Sequence, residues 1–175
     1  MSAQNIRVPL IEPGTNPALK SLETKILAER GRISLLYKVL LNSEPIASGW
    51  EQMLTAVRNK TSVAPHLREM MILRVAVLNN AEFEFDAHIP HAINAGVSQD
   101  KINQIKNLAL GEIFTDEERL LLELTDQMTQ NVNVPDQLMN ALGQHYSPKE
   151  VVEIVATVAA YNMVSRFLVA LNISH

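Results

Sequence analysis

Acids and histidines are concentrated in one short stretch of this chain, residues 82–91, which follows a nearly unbroken apolar run at residues 70–78. Glu84 and His88 are four residues apart within that stretch, so on a helix they share a face and can touch. Glu69 directly precedes the apolar run on the same predicted helix, where an acid needs either a partner or a chemical role. These three residues are the candidate site.

Histidine exchanges protons near neutral pH, since its unperturbed pKa is about 6.5. A carboxylate beside it fixes its tautomer and supports general acid–base catalysis. We therefore predict His88 as the acid/base, Glu84 as its partner or as a second acid/base, and Glu69 as an orienting or relay acid.

Simpler interpretations exist for each residue. Glu84 and His88 can form an ordinary surface ion pair, worth about 0.2–0.5 kcal/mol. Glu69 can be a first-turn acid at the positive end of its helix. Glu82 and Asp86 are more typical of a solvated helix face.

Metal binding is a further alternative, because Glu84, His88 and His91 recur at helical spacing and could face one ion. The spacing is not that of His-Glu-x-x-His, and no di-iron Glu-x-x-His pair is present. We predict neither a metal nor a cofactor.

The amino-acid composition excludes several classes of function. The chain has 175 residues, a formal net charge of −4 and no cysteine, and its 15 basic residues form no run. Nucleic-acid binding needs a basic patch and is not expected. Without cysteine, disulfides, thiolate metal sites and thiol peroxidase chemistry are excluded. No signal peptide is predicted, and the apolar stretches are shorter than the about 20 residues of a membrane span, so we expect a cytoplasmic protein without membrane contact.

The segments that position the candidate site are predicted to be helices. The Asn79-Asn80 pair predicts a corner between two of them. Turn and cap residues place the two corner helices at residues 65–78 and 81–95. They place the other helices at about residues 18–30, 33–41, 46–60, 98–110, 115–130, 135–142 and 148–171. No stretch alternates as a half-buried strand does, so the fold class is all-α, with about eight or nine helices. Three prolines in residues 1–17 predict a packed, non-helical arm before a single domain at residues 18–175.

The run LREMMILRVAVLNNAEFEFDAHIPHAINAGVS resembles the carboxymuconolactone decarboxylase family, which also holds the alkylhydroperoxidase D-like proteins. The segments RGRISLLYKVLLNSEPIASGW and YNMVSRFLVALNI resemble members with an extended N-terminal region. The peroxidase branch carries a Glu, a Cys-x-x-Cys pair and a His. The matching positions here are Glu69, then Ala81 and Glu84, then His88, so the acid and histidine are kept and both sulfurs are missing. In the decarboxylase branch a Glu likewise precedes the His by four residues.

This resemblance implies an alkylhydroperoxidase D-like helical fold and lyase-type, cofactor-free decarboxylation of a small carboxylated lactone or keto-acid. It also implies a homo-oligomer, a trimer or a hexamer, with sites near subunit contacts. Two helices that are apolar on most sides, residues 70–78 and the helix from Pro148, independently favour an oligomer with these helices at the interface. The alternative function is a small-molecule-binding helical oligomer without thiol peroxidase activity.

Overall fold

The computed structural model describes residues 6–174, and within that range every regular element is helical. The nine α-helices are α1 Lys20–Arg30, α2 Leu35–Leu40, α3 Glu44–Asn59, α4 Pro65–Leu78, α5 Glu82–Asn94, α6 Gln99–Lys106, α7 Asp116–Asp126, α8 Asp136–His145 and α9 Pro148–Ala170. A short 3-10 turn, Pro17–Leu19, precedes α1, and a π-helical turn, Gln127–Asn131, extends α7. The predicted all-α class and helix number are confirmed.

The described chain divides into two compact units. One contains residues 6–60 with 170–174, and the other contains residues 61–169. The predicted single domain, residues 18–175, stays a prediction. Of the predicted arm, residues 1–5 lie outside the described residues.

In the first unit, residues 6–16 contain no helix, and none of them is buried. The Ile11 amide donates to the Lys38 carbonyl over 3.0 Å, and the Arg7 amide donates to the Leu171 carbonyl over 3.1 Å. Helices α1, α2 and α3 share the fully buried Glu51, which accepts hydrogen bonds from Arg30 of α1, from Tyr37 of α2 and, within α3, from Thr55. A buried carboxylate with three donors is satisfied and belongs to the fold.

In the second unit, α4 is the central helix and packs against α5, α6 and α7. Its side chains are buried on nearly every side, including Met71, Ile72 and Val75, which are fully buried. Contrary to the prediction, α4 does not require a partner subunit to bury it, because the chain itself covers this helix. Helix α9 differs, since Val152, Met163 and Val169 are 67%, 42% and 48% exposed.

Helix α9 is long and apolar enough to cross a membrane by length and composition alone, because it has 23 residues and contains an 18-residue segment with a mean hydropathy of 1.4. The apolar stretch visible in the sequence is shorter than a membrane span because it ends before the helix does. Half of that window is buried inside the protein, as in the core helix of a globular domain.

Several helix ends differ from the predictions. Helix α3 begins at Glu44, before the predicted start at about residue 46, and Pro45 lies in its first turn, where the missing N–H costs nothing. Helix α6 stops at Lys106, short of the predicted end near Leu110, because Leu108 takes a positive φ of 55°. Helix α8 runs on to His145, beyond the predicted end at Leu142.

Candidate functional site

The corner predicted at the asparagine pair brings α5 back against α4. Asn79 caps α4, donating its amide to the Val75 carbonyl over 3.0 Å, and Asn80 takes the left-handed conformation with φ 54°. Asparagine tolerates that conformation better than most residues. The Ala81 amide then donates to the Ala76 carbonyl over 2.8 Å, which joins the start of α5 to the end of α4. Facing side chains of the two helices can therefore meet.

A polar network between the corner and α9 holds the corner in place. The Asn79 side-chain amide donates to the Asn162 side-chain oxygen Oδ1 over 3.0 Å and to the Ser165 hydroxyl over 2.7 Å, both on α9. Asn162 in turn donates to the Thr129 hydroxyl over 2.9 Å. Asn162 and Ser165 are buried, so these bonds are shielded from water and specify the position of the corner.

His88 and Glu69 form the central contact of the site. The His88 Nδ1 lies 2.7 Å from the Glu69 Oε2, and the two residues are only 8% and 4% exposed. With Nδ1 donating to the carboxylate, Nε2 is the nitrogen that remains for a ligand, since no described residue hydrogen-bonds to it. Glu69 is the fifth residue of α4, and no acid occupies that helix's first turn, so its interpretation as a first-turn acid is wrong.

Glu84 lies one turn before His88 but does not bond to it. Its side chain is 2% exposed, and both carboxylate oxygens are buried without a hydrogen-bond partner among the described residues. The predicted Glu84–His88 hydrogen bond is therefore not formed directly, because Glu69 of the facing helix takes the Nδ1 position. The interpretation as a surface pair is also wrong, since both side chains are buried.

Burial raises the pKa of the Glu84 carboxyl well above its usual range. Removing a carboxylate from water without a compensating donor favours the neutral form. The environment of Glu84 therefore favours the protonated carboxylic acid, beside a histidine whose orientation is fixed.

Glu82 and Asp86 are exposed, as expected for a solvated face. They lie on the opposite side of α5 from Glu84, where with Lys106 they line a cavity of about 300 Å³ floored by apolar side chains. His91 is exposed too, with its ring centroid 5.5 Å from that of His88. Residues 6–174 contain no group of three potential ligands that could hold a metal ion.

Two neighbours of the site were missed from the sequence. The Tyr161 ring of α9 packs edge-on against the His88 ring, with centroids 5.2 Å apart and planes at 89°. The Arg68 Nε lies 3.8 Å from the Glu69 Oε1. Arg68 had a signal, its position next to Glu69, whereas nothing local marks Tyr161, which comes from a distant helix.

Residues 44–127 match the model of the carboxymuconolactone decarboxylase family. The uncharacterized protein YdfG of Bacillus subtilis is 25% identical over 115 residues, which cover 65% of this chain and 78% of YdfG. Two solved structures share the architecture. One is the protein ATU0492 of Agrobacterium tumefaciens, named for the antioxidant defence protein AhpD, with a TM-score of 0.72, 23% identity, and coverage of 78% of this chain and 94% of that one.

The other structure is the debrominase Bmp8, in a cysteine-to-alanine variant complexed with 2,3,4-tribromopyrrole. Its TM-score is 0.79 at 13% identity, covering 97% of this chain and 91% of that one. At these identities the two structures establish an AhpD-like fold and no activity. The match to the carboxymuconolactone decarboxylase family covers 84 of the 175 residues, and the sequence contains no cysteine.

Proposed function

We propose that this protein is a cofactor-free acid–base enzyme that decarboxylates a small carboxylated lactone or keto-acid. The observation that carries the proposal is the buried His88–Glu69 pair, with a 2.7 Å contact, beside the buried and unpartnered Glu84. A stable fold gains nothing from an unsatisfied buried acid, so its presence next to an oriented histidine favours a chemical role.

Each residue has a defined part in the proposed reaction. The bond from carbon to the departing carboxylate breaks, CO₂ leaves, and the electron pair of that bond passes into the adjoining unsaturated system as a dienolate. His88, protonated at Nε2, delivers one proton to carbon, and water restores that proton afterwards. Glu69 accepts the Nδ1 proton in a hydrogen bond and stabilises the imidazolium. Neutral Glu84 donates a hydrogen bond to the oxygen on which charge develops.

The test is turnover of a panel of carboxylated lactones and β-keto-acids by the wild type and matched variants. The substitution His88→Ala should lower kcat by about 10²–10⁴-fold, the usual contribution of a general acid or base. Glu84→Ala should lower kcat by about 10²–10³-fold, the loss expected when one donor to a developing oxyanion is removed. The control Glu82→Gln, exposed on the same helix, should leave kcat unchanged. In D₂O the product should carry one deuterium, on the dienolate carbon that His88 protonates. Full activity in His88→Ala would remove His88 from the mechanism.

The alternative is a non-enzymatic helical protein that binds a small organic acid. The feature that favours it is the absence of sulfur, since Ala81 and Glu84 stand where the peroxidase branch of the family has its cysteines. A thermal-shift screen with the same compounds separates the two. Saturable binding without any product in the wild type would support the binding protein.

We also propose that the chain forms a homo-oligomer through α9. Val152 and Met163 are exposed apolar residues on this helix, and Ala159 is exposed between them. A second copy of the chain would cover this face, as symmetric interfaces between identical subunits commonly do. Light scattering should give a multiple of 19.5 kDa, and Ala159→Glu should lower that mass. A wild type that stays at 19.5 kDa at micromolar concentration contradicts the proposal.

A further inference from the structure

The imidazole of the proposed site has little contact with water. His88 is 8% exposed. The ionisable residues beside it are more deeply buried, at 4% exposure for Glu69, 2% for Glu84 and 2% for Tyr161. The Nδ1 of His88 already contacts the Glu69 carboxylate at 2.7 Å. A proton that His88 gives up in a reaction must therefore be replaced through Nε2, on a ring that bulk water scarcely reaches.

Most neighbours of His88 cannot supply that proton. Glu69 accepts the Nδ1 hydrogen bond and has no proton of its own to give. A guanidinium such as that of Arg68 and a phenol such as that of Tyr161 keep their protons near neutral pH. Glu84 favours its protonated form because burial raises the pKa of its carboxyl, but that carboxyl is itself cut off from solvent and would need a new proton in turn.

His91 links the buried ring of His88 to solvent. It is exposed, and its ring centroid lies 5.5 Å from that of His88, with the two planes tilted by 53°. Both residues belong to α5, where side chains three positions apart are neighbours on the helix surface, so the helix keeps the rings together. Rings at this separation can share a proton directly or through one water. An imidazole takes up and releases protons near neutral pH, which suits it to this transfer.

We infer that His91 is a proton relay between solvent and His88. This inference rests on the proposed function, because a relay is needed only where His88 gives up a proton in each turnover. After His88 delivers its Nε2 proton to carbon, His91 as the imidazolium passes one proton to that nitrogen and receives another from water or a dissolved buffer acid. One proton enters from solvent for each new C–H bond, so the protons balance. His91 touches no reacting atom and acts through His88.

Proton exchange at His88, measured without substrate, tests the relay. Relaxation dispersion of the His88 ¹³Cε1 signal, at the midpoint of its titration, gives the rate of exchange between imidazole and imidazolium. The proteins compared are the wild type and His91→Gln, since glutamine is polar and of similar size but does not titrate. We expect exchange to be at least about 10-fold slower in His91→Gln, because solvent acids meet a ring that is 8% exposed less often than an open one. Added imidazole should restore the rate. His145→Gln, at an exposed histidine of α8, is the control and should exchange as the wild type does.

Turnover then connects this exchange to the reaction. At alkaline pH and low buffer concentration, where solvent acids are scarce, His91→Gln should have a lower kcat than the wild type with KM unchanged, and added imidazole should bring kcat back. Equal exchange in the wild type and His91→Gln overturns the relay, as does a His88 that does not titrate. A kcat of His91→Gln equal to the wild-type value at every pH and buffer concentration overturns it too. Slowed exchange in His91→Gln, with no compound of the panel decarboxylated by the wild type, refutes the proposed function and leaves His91 as the proton path to His88.

Discussion

Replacing Glu84 with glutamine should change how the stability of this protein depends on pH. The native carboxyl is buried with no partner, which raises its pKa well above the usual range, whereas in the unfolded chain it titrates normally. Between those two values the folded state holds a proton that the unfolded state has released. The free energy of unfolding therefore decreases as pH rises through that window, and Glu84→Gln removes this contribution because the amide does not titrate.

The size of the effect follows from the same linkage. One bound proton of difference changes the free energy of unfolding by about 1.4 kcal/mol for each pH unit in the window. The glutamine amide finds no partner in the pocket either, so it costs about as much as the unpartnered protonated acid that it replaces. Glu84→Gln should thus be about as stable as the wild type at acidic pH. As pH rises through the window, the wild type should lose about 1.4 kcal/mol per unit relative to Glu84→Gln, which becomes the more stable protein.

Urea unfolding followed by circular dichroism, from about pH 4 to about pH 8, measures the difference between the two proteins. All other titrating groups are shared, so the slope of that difference against pH reports Glu84 alone. Glu82→Gln serves as the matched control, because Glu82 is exposed on the same helix and its substitution should leave the slope at zero. Parallel curves for wild type and Glu84→Gln would refute the protonated acid, and with it the role of Glu84 as a hydrogen-bond donor.

Three further outcomes are expected. Hydroperoxide reduction with a dithiol donor should stay at background, since the sequence has no cysteine to attack the O–O bond. Val132→Gly should stabilise the protein by about 0.5–1 kcal/mol in urea unfolding, because Val132 adopts a φ of 63° that a β-branched residue tolerates poorly, whereas Val152→Gly in exposed α9 should destabilise it by a similar amount. Lys101→Met should lower the free energy of unfolding by about 1–3 kcal/mol at neutral pH, and this loss should shrink in acid. Burial alone would raise the pKa of Glu118, but hydrogen bonds from Lys101 and Thr115 lower that pKa. The stabilisation from these hydrogen bonds is lost as the Glu118 carboxylate is protonated.

Local chemistry predicted most helix boundaries. Thr115 and Glu118 form the expected capping box, with the Glu118 amide donating to the Thr115 hydroxyl over 3.2 Å and the Thr115 amide to the Glu118 carboxylate over 2.8 Å. Gly31 closes α1 with a φ of 71°, a conformation that glycine adopts without strain. These signals work because every participating atom lies within a few residues. The early end of α6 at Lys106 carries no such signal, since Leu108 adopts a positive φ for which leucine has no preference.

The sequence suggested Glu69, Glu84 and His88 as candidate residues but not which of them pair. Helical spacing places Glu84 and His88 on one face, and it cannot show that Glu69 of the facing helix lies closer to the imidazole. That contact joins residues 19 apart, and the Tyr161 contact with the same ring joins residues on different helices that are much further apart in sequence. Such pairings depend on how α4, α5 and α9 pack. No periodicity within one helix encodes them.

The distribution of unsatisfied groups separates function from folding in this chain. Four buried side-chain atoms among the described residues lack a hydrogen-bond partner, and three of them belong to Arg68 and Glu84. Elsewhere buried acids are paired, as Glu51 is by three donors. A sequence selected for stability alone would place apolar residues at Arg68 and Glu84, because unpaired polar groups cost more than they return. Their concentration around the His88–Glu69 pair is explained when a ligand supplies the missing partners: an acceptor for the guanidinium and an oxygen for the acid proton.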